Sequence, residues 1–187
     1  IGPAAELEAH GIALQKNLPG VGRNLQDRYE IAVTHRMREP WEVLEGARFD
    51  RDDTLWRHWH EERSGMYASN GAARGGVTRT TPAERPGQEP DLFCMALLAR
   101  FEGYFPGFSK QVREQQDQLT WAVLKAHTQN RAGTVRLRSA DPGDTPLVNF
   151  HYFEEGDDQA GEDLRAVVQA IRSVRRMTAP LLAKGWI

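Results

Sequence analysis

The sequence has a single cysteine and almost no excess of either charge. Cys94 has no partner for an internal disulfide, and its place in an apolar, strand-like run predicts a small buried hydrophobe rather than a nucleophile. A chain without disulfides indicates a reducing, cytoplasmic setting. The formal net charge of −2 argues against a nucleic-acid or membrane-surface partner. No apolar run is long enough to span a bilayer, and no signal-like segment is present.

Patterns for metal binding and for hydrolytic catalysis are also missing. His58 and His60 lie two residues apart, and on a helix such side chains point in different directions. Zinc would need further ligands, which neither spacing nor cysteine supplies. Ser139 and Asp141 have no G-x-S-x-G elbow near them, so a catalytic triad is not indicated. We therefore predict no metal ligand and no catalytic residue in this chain.

The 187 residues are enough for one domain with a substantial core. Alternating or continuous apolar patterns predict strands at 29–37, 75–80, 91–98 and 119–127. The last of these, followed by a bend and a return strand at 134–139, predicts an antiparallel hairpin.

Helical patterns occupy three parts of the sequence. A short helix is predicted at 4–9, and a second within 41–62, with Asp53 or Thr54 as its N-cap. A carboxyl-terminal helix capped by Asp157 or Asp158 and ended by Pro180 has its apolar stripe at Leu164, Val167, Val168, Ile171 and Val174. Strands flanked by helices predict an α+β fold with a largely antiparallel sheet.

Two loops stand out by their turn residues. Gly20-Val21-Gly22 resembles the start of a dinucleotide fingerprint, but position 25 is Leu where a third glycine is needed, so a turn-rich connector is preferred to a phosphate cradle. The stretch 81–90 is rich in proline and charge and is predicted to be an exposed loop, the best internal site for proteolytic nicking.

Several motifs occur in a characteristic order. Residues 1–27 contain IGP, a short helix ending in HGI, and LPGVGRNLQD; residues 131–142 read RAGTVRLRSADP; and TPLVNFHYF at 145–153 precedes Asp157, Asp158 and a helix. Taken together, these segments resemble the glucose-methanol-choline (GMC) family of flavin oxidoreductases. One departure is Arg28, where many members of that family have His.

The resemblance implies the substrate-binding part of an enzyme that oxidises an alcohol by hydride transfer to FAD. Residues 1–28 would be the linker from an FAD-binding domain, and residues 29–187 a substrate-binding domain truncated at its carboxyl-terminal end. The glycine-rich FAD fingerprint and the family's catalytic His are not in the sequence, so this fragment is expected to be inactive alone and not to bind FAD firmly. Its cofactor-binding candidates are Asn24, Gln26 and Asp27.

The predicted substrate-binding residues are Trp121, Lys125, His127, Phe101, Tyr104 and Asn70. Each has a second interpretation. His127 lines a pocket or is an exposed strand-end histidine, and Lys125 binds a polar substrate group or extends to solvent. The aromatic residues either form a lid over the substrate or pack beneath a long loop. Asn70 either points at the flavin or stabilises the turn in which it lies.

Two classes of function remain open from the sequence. The first is the substrate-binding part of a GMC enzyme, with a small-molecule alcohol as its partner and an exposed docking face through which the fragment self-associates. The second is a free-standing ligand-binding or interaction module without redox chemistry.

Overall fold

The structure, a computed structural model, describes residues 1–80 and 89–187. Its helices are α1 (Ala4–Ala9), α2 (Thr54–Glu62), α3 (Phe108–Glu114) and α4 (Glu162–Ala183). Its strands are β1 (Glu30–Arg36), β2 (Ala72–Thr78), β3 (Leu92–Leu97), β4 (Gln118–Lys125), β5 (Thr134–Arg136) and β6 (Leu147–Asn149). Of the predicted nicking loop, residues 81–88 lie outside the described part of the chain. Helices combined with antiparallel sheet confirm the predicted α+β class.

The chain forms two compact units. The first unit comprises Ile1–Tyr29 and His127–Arg165, and the second comprises Glu30–Ala126 and Ala166–Ile187. The first unit contains α1 and the two-stranded sheet of β5 and β6, whereas the second contains a four-stranded sheet and most of α4.

In the first unit, the glycine-rich loop of residues 20–27 lies against the segment that leads into β5. The Leu25 N–H donates to the Gly133 carbonyl at 2.9 Å, and the Val135 N–H donates to the Gly22 carbonyl at 2.8 Å. A Cβ atom on Gly22 would overlap the carbonyl oxygen of Val135, and one on Gly133 would overlap that of Leu25. These glycines therefore serve a close approach of two backbones, which accounts for the two motifs without a phosphate.

The predicted hairpin between 119–127 and 134–139 is wrong. β4 ends at Lys125 and pairs with β1 and β3, while β5 pairs with β6, for example Val135 with Val148. The bend residues instead bind Asp163. Its carboxylate accepts hydrogen bonds from the N–H groups of Gln129 and Asn130 at 2.9–3.1 Å. Because Asp163 binds the residues of the bend, β5 does not pair with β4. It pairs with β6, which lies further along the chain.

The sheet of the second unit is antiparallel in the order β1-β4-β3-β2. The pattern of residues 91–98, apolar on both faces, predicts a central strand, and β3 is indeed one of the two inner strands. The other inner strand is β4. β2 starts at Ala72, earlier than its predicted start at Gly75, and has a register shift between Ala72 and Arg74.

α4 packs on one face of this sheet through small side chains. The buried core joins Ala170 and Val174 of the helix to Leu92 and Val123 of the sheet. The predicted stripe is partly wrong, because Leu164 is 43% exposed while Ala166 and Thr178 are buried. Small residues occupy the stripe since they let the helix lie close to the sheet.

The two predicted helix ends have different outcomes. Pro180 does not end α4, which continues to Ala183. The proline removes only its own N–H bond, and the Lys184 N–H still reaches the Pro180 carbonyl at 3.2 Å. The N-cap of α2 is Asp53, as predicted, with its carboxylate accepting from the Trp56 N–H. α3, which was not predicted, follows the left-handed Gly107.

Candidate functional site

The two faces of the four-stranded sheet differ in what covers them. Side chains on one face, among them Ile31, Cys94 and Trp121, pack around the core that α4 completes. On the opposite face, Val77, Phe93 and Leu124 form one row across β2, β3 and β4. Val77 is 67% exposed and Phe93 39% exposed, so this row presents apolar surface.

A second row on the same face is made of smaller or flexible side chains. Gly75, Met95, Ala122 and Ala32 follow one another across β2, β3, β4 and β1. Ala122 at the centre of this row is fully buried, Met95 and Ala32 are half-buried, and Gly75 at the edge is exposed. The flexible Met95 side chain can adapt to what it contacts. We call the two rows together the open sheet face.

Thr120 forms hydrogen bonds that connect the sheet to the loop before α3, which we call the aromatic loop (residues 101–107). Its fully buried hydroxyl donates to the Ala99 carbonyl at 2.6 Å and lies 3.0 Å from the hydroxyl of Thr34. It also accepts the N–H of Phe101 at 3.1 Å. The Phe101 ring meets the edge of Tyr104 at 5.2 Å, so Thr120 fixes the base of the aromatic loop.

The predicted residues Phe101 and Tyr104 lie in this loop. Tyr104 is 82% exposed, and its ring also contacts Phe108 with a centroid distance of 5.4 Å. Phe101 is half-buried. The loop is therefore internally packed and presents two rings, those of Tyr104 and the 43% exposed Phe105, to its surroundings.

Trp121 and Lys125 lie on the face that α4 covers, not on the open sheet face. The Nε1 atom of Trp121 is buried without a hydrogen-bond partner within the described residues. The Lys125 ammonium, 6% exposed, lies 3.4 Å from the Asp91 carboxylate and donates to the Ala126 carbonyl at 2.9 Å. Burial opposes ionisation of Asp91, but hydrogen bonds from Thr80 and the charge of Lys125 outweigh it and hold the Asp91 pKa below its ordinary value.

His127 and Asn70 are both exposed. The sequence placed His127 at the end of a strand, but β4 stops at Lys125 and His127 has a left-handed backbone with φ 52°. The Asn70 side chain accepts the Ala72 N–H at 3.1 Å, which is the turn chemistry that its sequence context indicates. His127 belongs to the first unit and the other five predicted substrate ligands to the second.

The cofactor candidates lie in the first unit, and two of them hold the loop itself. Gln26 donates to the Thr128 carbonyl at 3.0 Å. Asp27 accepts from the Tyr152 hydroxyl, and together with burial this raises the Tyr152 pKa to about 12. Asn24 is exposed, with a left-handed backbone of φ 58°.

The described residues do not fit the pyrophosphate of a dinucleotide. Gly22 is engaged by Val135, and the first N–H of the six-residue helix α1 donates to the Asn17 side chain at 3.1 Å. A pyrophosphate requires free N–H groups at a glycine-rich turn and a helix start. Asn24 and Gln26 are both exposed, but the Gln26 amide already donates to the Thr128 carbonyl, so Asn24 is the better candidate for an outside contact.

The histidines of α2 have separate partners. His60 stacks on Trp56, and His58 lies 3.1 Å from Glu62 and 2.9 Å from Ser64. In residues 1–80 and 89–187, no group of three or more His, Cys, Asp or Glu side chains is arranged to hold a metal ion. Within the same ranges, none of the helices combines the length and hydropathy that a bilayer crossing requires.

The sequence did not identify the open sheet face. The sequence pattern predicts strands here, at Val77, Phe93, Met95 and Thr120, but not which face of the sheet a helix covers. A strand that is apolar on both faces gives no such indication. The one available signal was the glycine pair in β2 (Gly75 and Gly76), since glycine inside a strand often marks close approach of another group.

Comparison with known proteins gives three kinds of similarity. The GMC oxidoreductase family profile matches residues 128–184. An oxygen-dependent choline dehydrogenase of Burkholderia vietnamiensis is 27% identical over 179 residues, covering 96% of this chain and 30% of the relative. A chloroplastic fatty acid photodecarboxylase of Chlamydomonas reinhardtii is 28% identical over 193 residues, again with 96% and 30% coverage.

Among solved structures, a formate oxidase of Aspergillus oryzae RIB40 superposes with a TM-score of 0.69 at 23% identity. The match covers 100% of this chain and 34% of that protein, and it supports the fold. The chain spans about 30% of the length of the curated relatives it matches. The family profile covers residues 128–184, and the two relatives are 27% and 28% identical to the chain. Profile, relatives and fold agree with the motifs at both ends of the sequence, and the chain is similar to GMC oxidoreductases.

Proposed function

We propose that this chain is the substrate-binding part of a cytoplasmic, FAD-dependent GMC oxidoreductase that oxidises a small-molecule alcohol. The observation that carries the proposal is the asymmetry of the sheet. One face is closed by α4, whereas the other exposes the apolar side chains of Val77 and Phe93. A face of this kind suits a surface that covers a reaction site and excludes water from it.

In this proposal the open sheet face lies over the bound substrate. Val77 and Phe93 would contact its apolar part, and Met95 would adapt to its shape. The loop that Thr120 fixes, with Phe101 and Tyr104, would border the site. Asn70, which is exposed and belongs to the second unit like the sheet, would supply a polar group to the substrate. The role of His127, which belongs to the first unit, stays a prediction from the sequence.

Lys125 and Trp121 are weaker candidates for substrate contact. Both lie on the α4 face, and the Lys125 ammonium is already paired with Asp91 at 3.4 Å. A substrate would have to displace that carboxylate before it reached the ammonium. Their role as substrate ligands stays a prediction from the sequence.

FAD, when bound by the intact protein, supplies the acceptor for the hydride of the alcohol. Residues 1–28 are proposed to connect the FAD-binding domain to the substrate-binding domain of residues 29–187. Because the described residues do not form a pyrophosphate cradle, we expect the isolated chain to retain no flavin and to be inactive. Asn24 is proposed as its contact to the cofactor, since the side chains of Gln26 and Asp27 already bond to Thr128 and Tyr152.

The experiment compares the isolated chain with the complete gene product. Purified complete protein should show flavin absorbance and turn over at least one member of a panel of choline and primary alkyl and aryl alcohols. The isolated chain should show neither. A complete protein without flavin, or with flavin and no activity on any alcohol, would refute the proposed reaction.

A matched pair of substitutions tests the role of the open sheet face. In the complete protein, Val77→Ser should raise KM for the alcohol several-fold, whereas Val148→Ser, on β6 and also exposed, should leave it unchanged. Equal effects of the two substitutions would argue against substrate contact at this face.

A further inference from the structure

The second unit contains an apolar cavity of about 470 Å³ that is distinct from the open sheet face. Its walls come from α2, from the 3-10 turn that follows it, from the end of β3 and from α3. The cavity is within the size range, of the order of 300–1,000 Å³, in which proteins bind small organic molecules. None of its described lining residues belongs to the open sheet face.

Aromatic and sulfur-containing side chains dominate its lining. Five of the eleven described lining residues are of this kind: Trp56 and Trp59 of α2, with Phe49, Met66 and Tyr67. Ring faces and thioethers make favourable contacts with an aromatic guest, beyond the effect of the area that is buried.

The described lining carries no charged side chain, and its hydroxyl groups are already used. Tyr67 donates to Asp53, and Ser69 donates to the Met66 carbonyl at 2.7 Å while accepting the Gly71 N–H at 3.1 Å. A charged ligand would therefore lose its hydration without gaining a counter-charge. An uncharged ligand does not incur that cost.

The rings of the wall are held by contacts that exist without a ligand. Phe49 stacks on Tyr67 at 5.8 Å with an interplanar angle of 21°, and Trp56 stacks on His60 at 4.8 Å and 9°. The guanidinium of Arg63 lies 4.9 Å from the centre of the Trp59 ring. A wall that is ordered beforehand lowers the entropic cost of binding.

We propose that this cavity is a binding site for a small, uncharged aromatic molecule. The inference does not depend on flavin chemistry, because it concerns a cavity within one unit and is tested by binding. The site accepts the aromatic part of the ligand between Trp56, Trp59 and Met66, and it discriminates against carboxylates and ammonium ions of the same skeleton.

The test uses three probes that share a ring system: 2-naphthylmethanol, 2-naphthoate and 2-naphthylmethylammonium. The chain has five tryptophans, so its indole N–H signals in a nitrogen–proton correlation spectrum report on five positions separately. With 2-naphthylmethanol, the Trp56 and Trp59 signals should shift saturably, while those of Trp41, Trp121 and Trp186 should stay in place. Both charged probes should bind at least tenfold more weakly.

A matched pair of substitutions locates the site. Val112→Phe places a ring in the cavity and should weaken binding of 2-naphthylmethanol at least tenfold, whereas Val148→Phe, in the first unit, should leave it unchanged. If Val112→Phe does not fold, Ala99→Leu fills the same cavity with a smaller change. Trp121, Trp41 and Trp186 signals at their original positions would show that a variant is folded.

Three results would overturn the proposal. The first is the absence of a saturable shift at Trp56 and Trp59, and the second is equal binding of the neutral and charged probes. The third is unchanged binding in a folded cavity-filling variant, which would place the probe elsewhere, for example on the open sheet face. None of these results bears on flavin content or alcohol turnover, so failure here is separable from failure of the proposed function.

Discussion

The hydroxyl of Tyr67 donates a hydrogen bond to the carboxylate of Asp53, a side chain that is 1% exposed. The same carboxylate accepts the N–H groups of Arg48, Phe49 and Trp56. One anion therefore joins the loop before α2, the first turn of α2 and the 3-10 turn after it. These are the segments that hold Phe49 and Tyr67 against the apolar cavity.

Replacement of Asp53 should destabilise the second unit strongly. Asp53→Asn keeps the size of the side chain but replaces an acceptor oxygen with a donor NH2 group that faces other donors. Replacing a buried carboxylate that accepts several hydrogen bonds lowers the free energy of unfolding by about 2–4 kcal/mol. Asp52→Asn is the control, because Asp52 is exposed and its change should stay within about 0.5 kcal/mol. Urea unfolding of both variants measures the difference, and equal stabilities would contradict the role of Asp53.

The contribution of Asp53 should also depend on pH in a defined direction. Burial disfavours its ionised form, but hydrogen bonds from Tyr67 and three backbone N–H groups outweigh burial and lower its pKa below the ordinary 3.8. A carboxyl with a depressed folded-state pKa stabilises the fold at pH values above its unfolded-state pKa. That stabilisation is lost as the pH falls from the ordinary value through the folded-state pKa.

The difference in unfolding free energy between the wild-type chain and Asp53→Asn should therefore be constant between about pH 5 and pH 7 and shrink below about pH 4. Using a difference removes the contribution of other acidic groups with lowered pKa, such as Asp91 and Asp117. A difference that grew with acidification would show that Asp53 is protonated in the folded state at neutral pH.

The sequence identified α2 and its cap because the signals are local. Asp53 precedes a run with helical spacing, and the cap needs no information from outside that segment. The sequence also predicts the inner position of β3, since apolar residues on both faces of a strand indicate burial on both faces.

Local signals in the sequence do not predict which strands pair with one another. Residues 128–133 have turn chemistry that suits a hairpin, but Asp163, more than thirty positions away in the sequence, binds the N–H groups of Gln129 and Asn130. A local sequence pattern does not reveal such a long-range contact. The pattern therefore predicts that β5 pairs with β4, whereas in the structure it pairs with β6. For the same reason, Trp121 and Lys125 were predicted to bind substrate although they lie on the face that α4 covers.

The Asp91 and Lys125 pair should respond asymmetrically to removal of either partner. Asp91→Asn leaves an almost fully buried ammonium without a counter-charge and should cost about 2–4 kcal/mol. Lys125→Met removes the cation and keeps the apolar stem, while Asp91 retains the hydrogen bonds from Thr80, so the cost should be about 1 kcal/mol or less.

The exposed pair of Lys110 and Glu114 is the control for this comparison. Its ion-pair distance is 3.9 Å and its side chains are 68% and 54% exposed, so Glu114→Gln should change stability by less than about 0.5 kcal/mol. Urea unfolding at neutral pH measures all three variants. A Lys125→Met variant less stable than Asp91→Asn would contradict the predicted asymmetry and would show that the bond from the ammonium to the Ala126 carbonyl matters more than the unpaired charge.

The open sheet face should make the isolated chain self-associate. Exposed apolar surface on Val77 and Phe93 is favourable to bury against a second copy. Sedimentation velocity over a range of concentrations should show association that Val77→Thr combined with Phe93→Thr weakens at least several-fold. Val148→Thr, at a valine of the first unit that is also exposed (48%, against 67% for Val77), should have no effect. Association that persists in the double variant would place the contact elsewhere.

Close approach of the glycine-rich loop to β5 gives a test of the first unit. Gly22 has φ 74°, and a Cβ atom at this position would overlap the carbonyl oxygen of Val135. Gly22→Ala therefore combines backbone strain with a clash against a backbone atom, and it should destabilise the fold by about 1–3 kcal/mol. Gly20→Ala is the matched control, because no atom lies within 4 Å of its Cβ position and its backbone does not have positive φ.

We expect Gly20→Ala to be neutral or slightly stabilising, since alanine reduces the freedom of the unfolded chain. Urea unfolding followed by far-ultraviolet circular dichroism distinguishes the two substitutions. If Gly22→Ala is as stable as Gly20→Ala, the loop does not lie against Val135, and the packing of the two motifs that carry the family resemblance would have to be revised. A loss confined to Gly22→Ala would instead show that these motifs owe their glycines to backbone packing within the first unit.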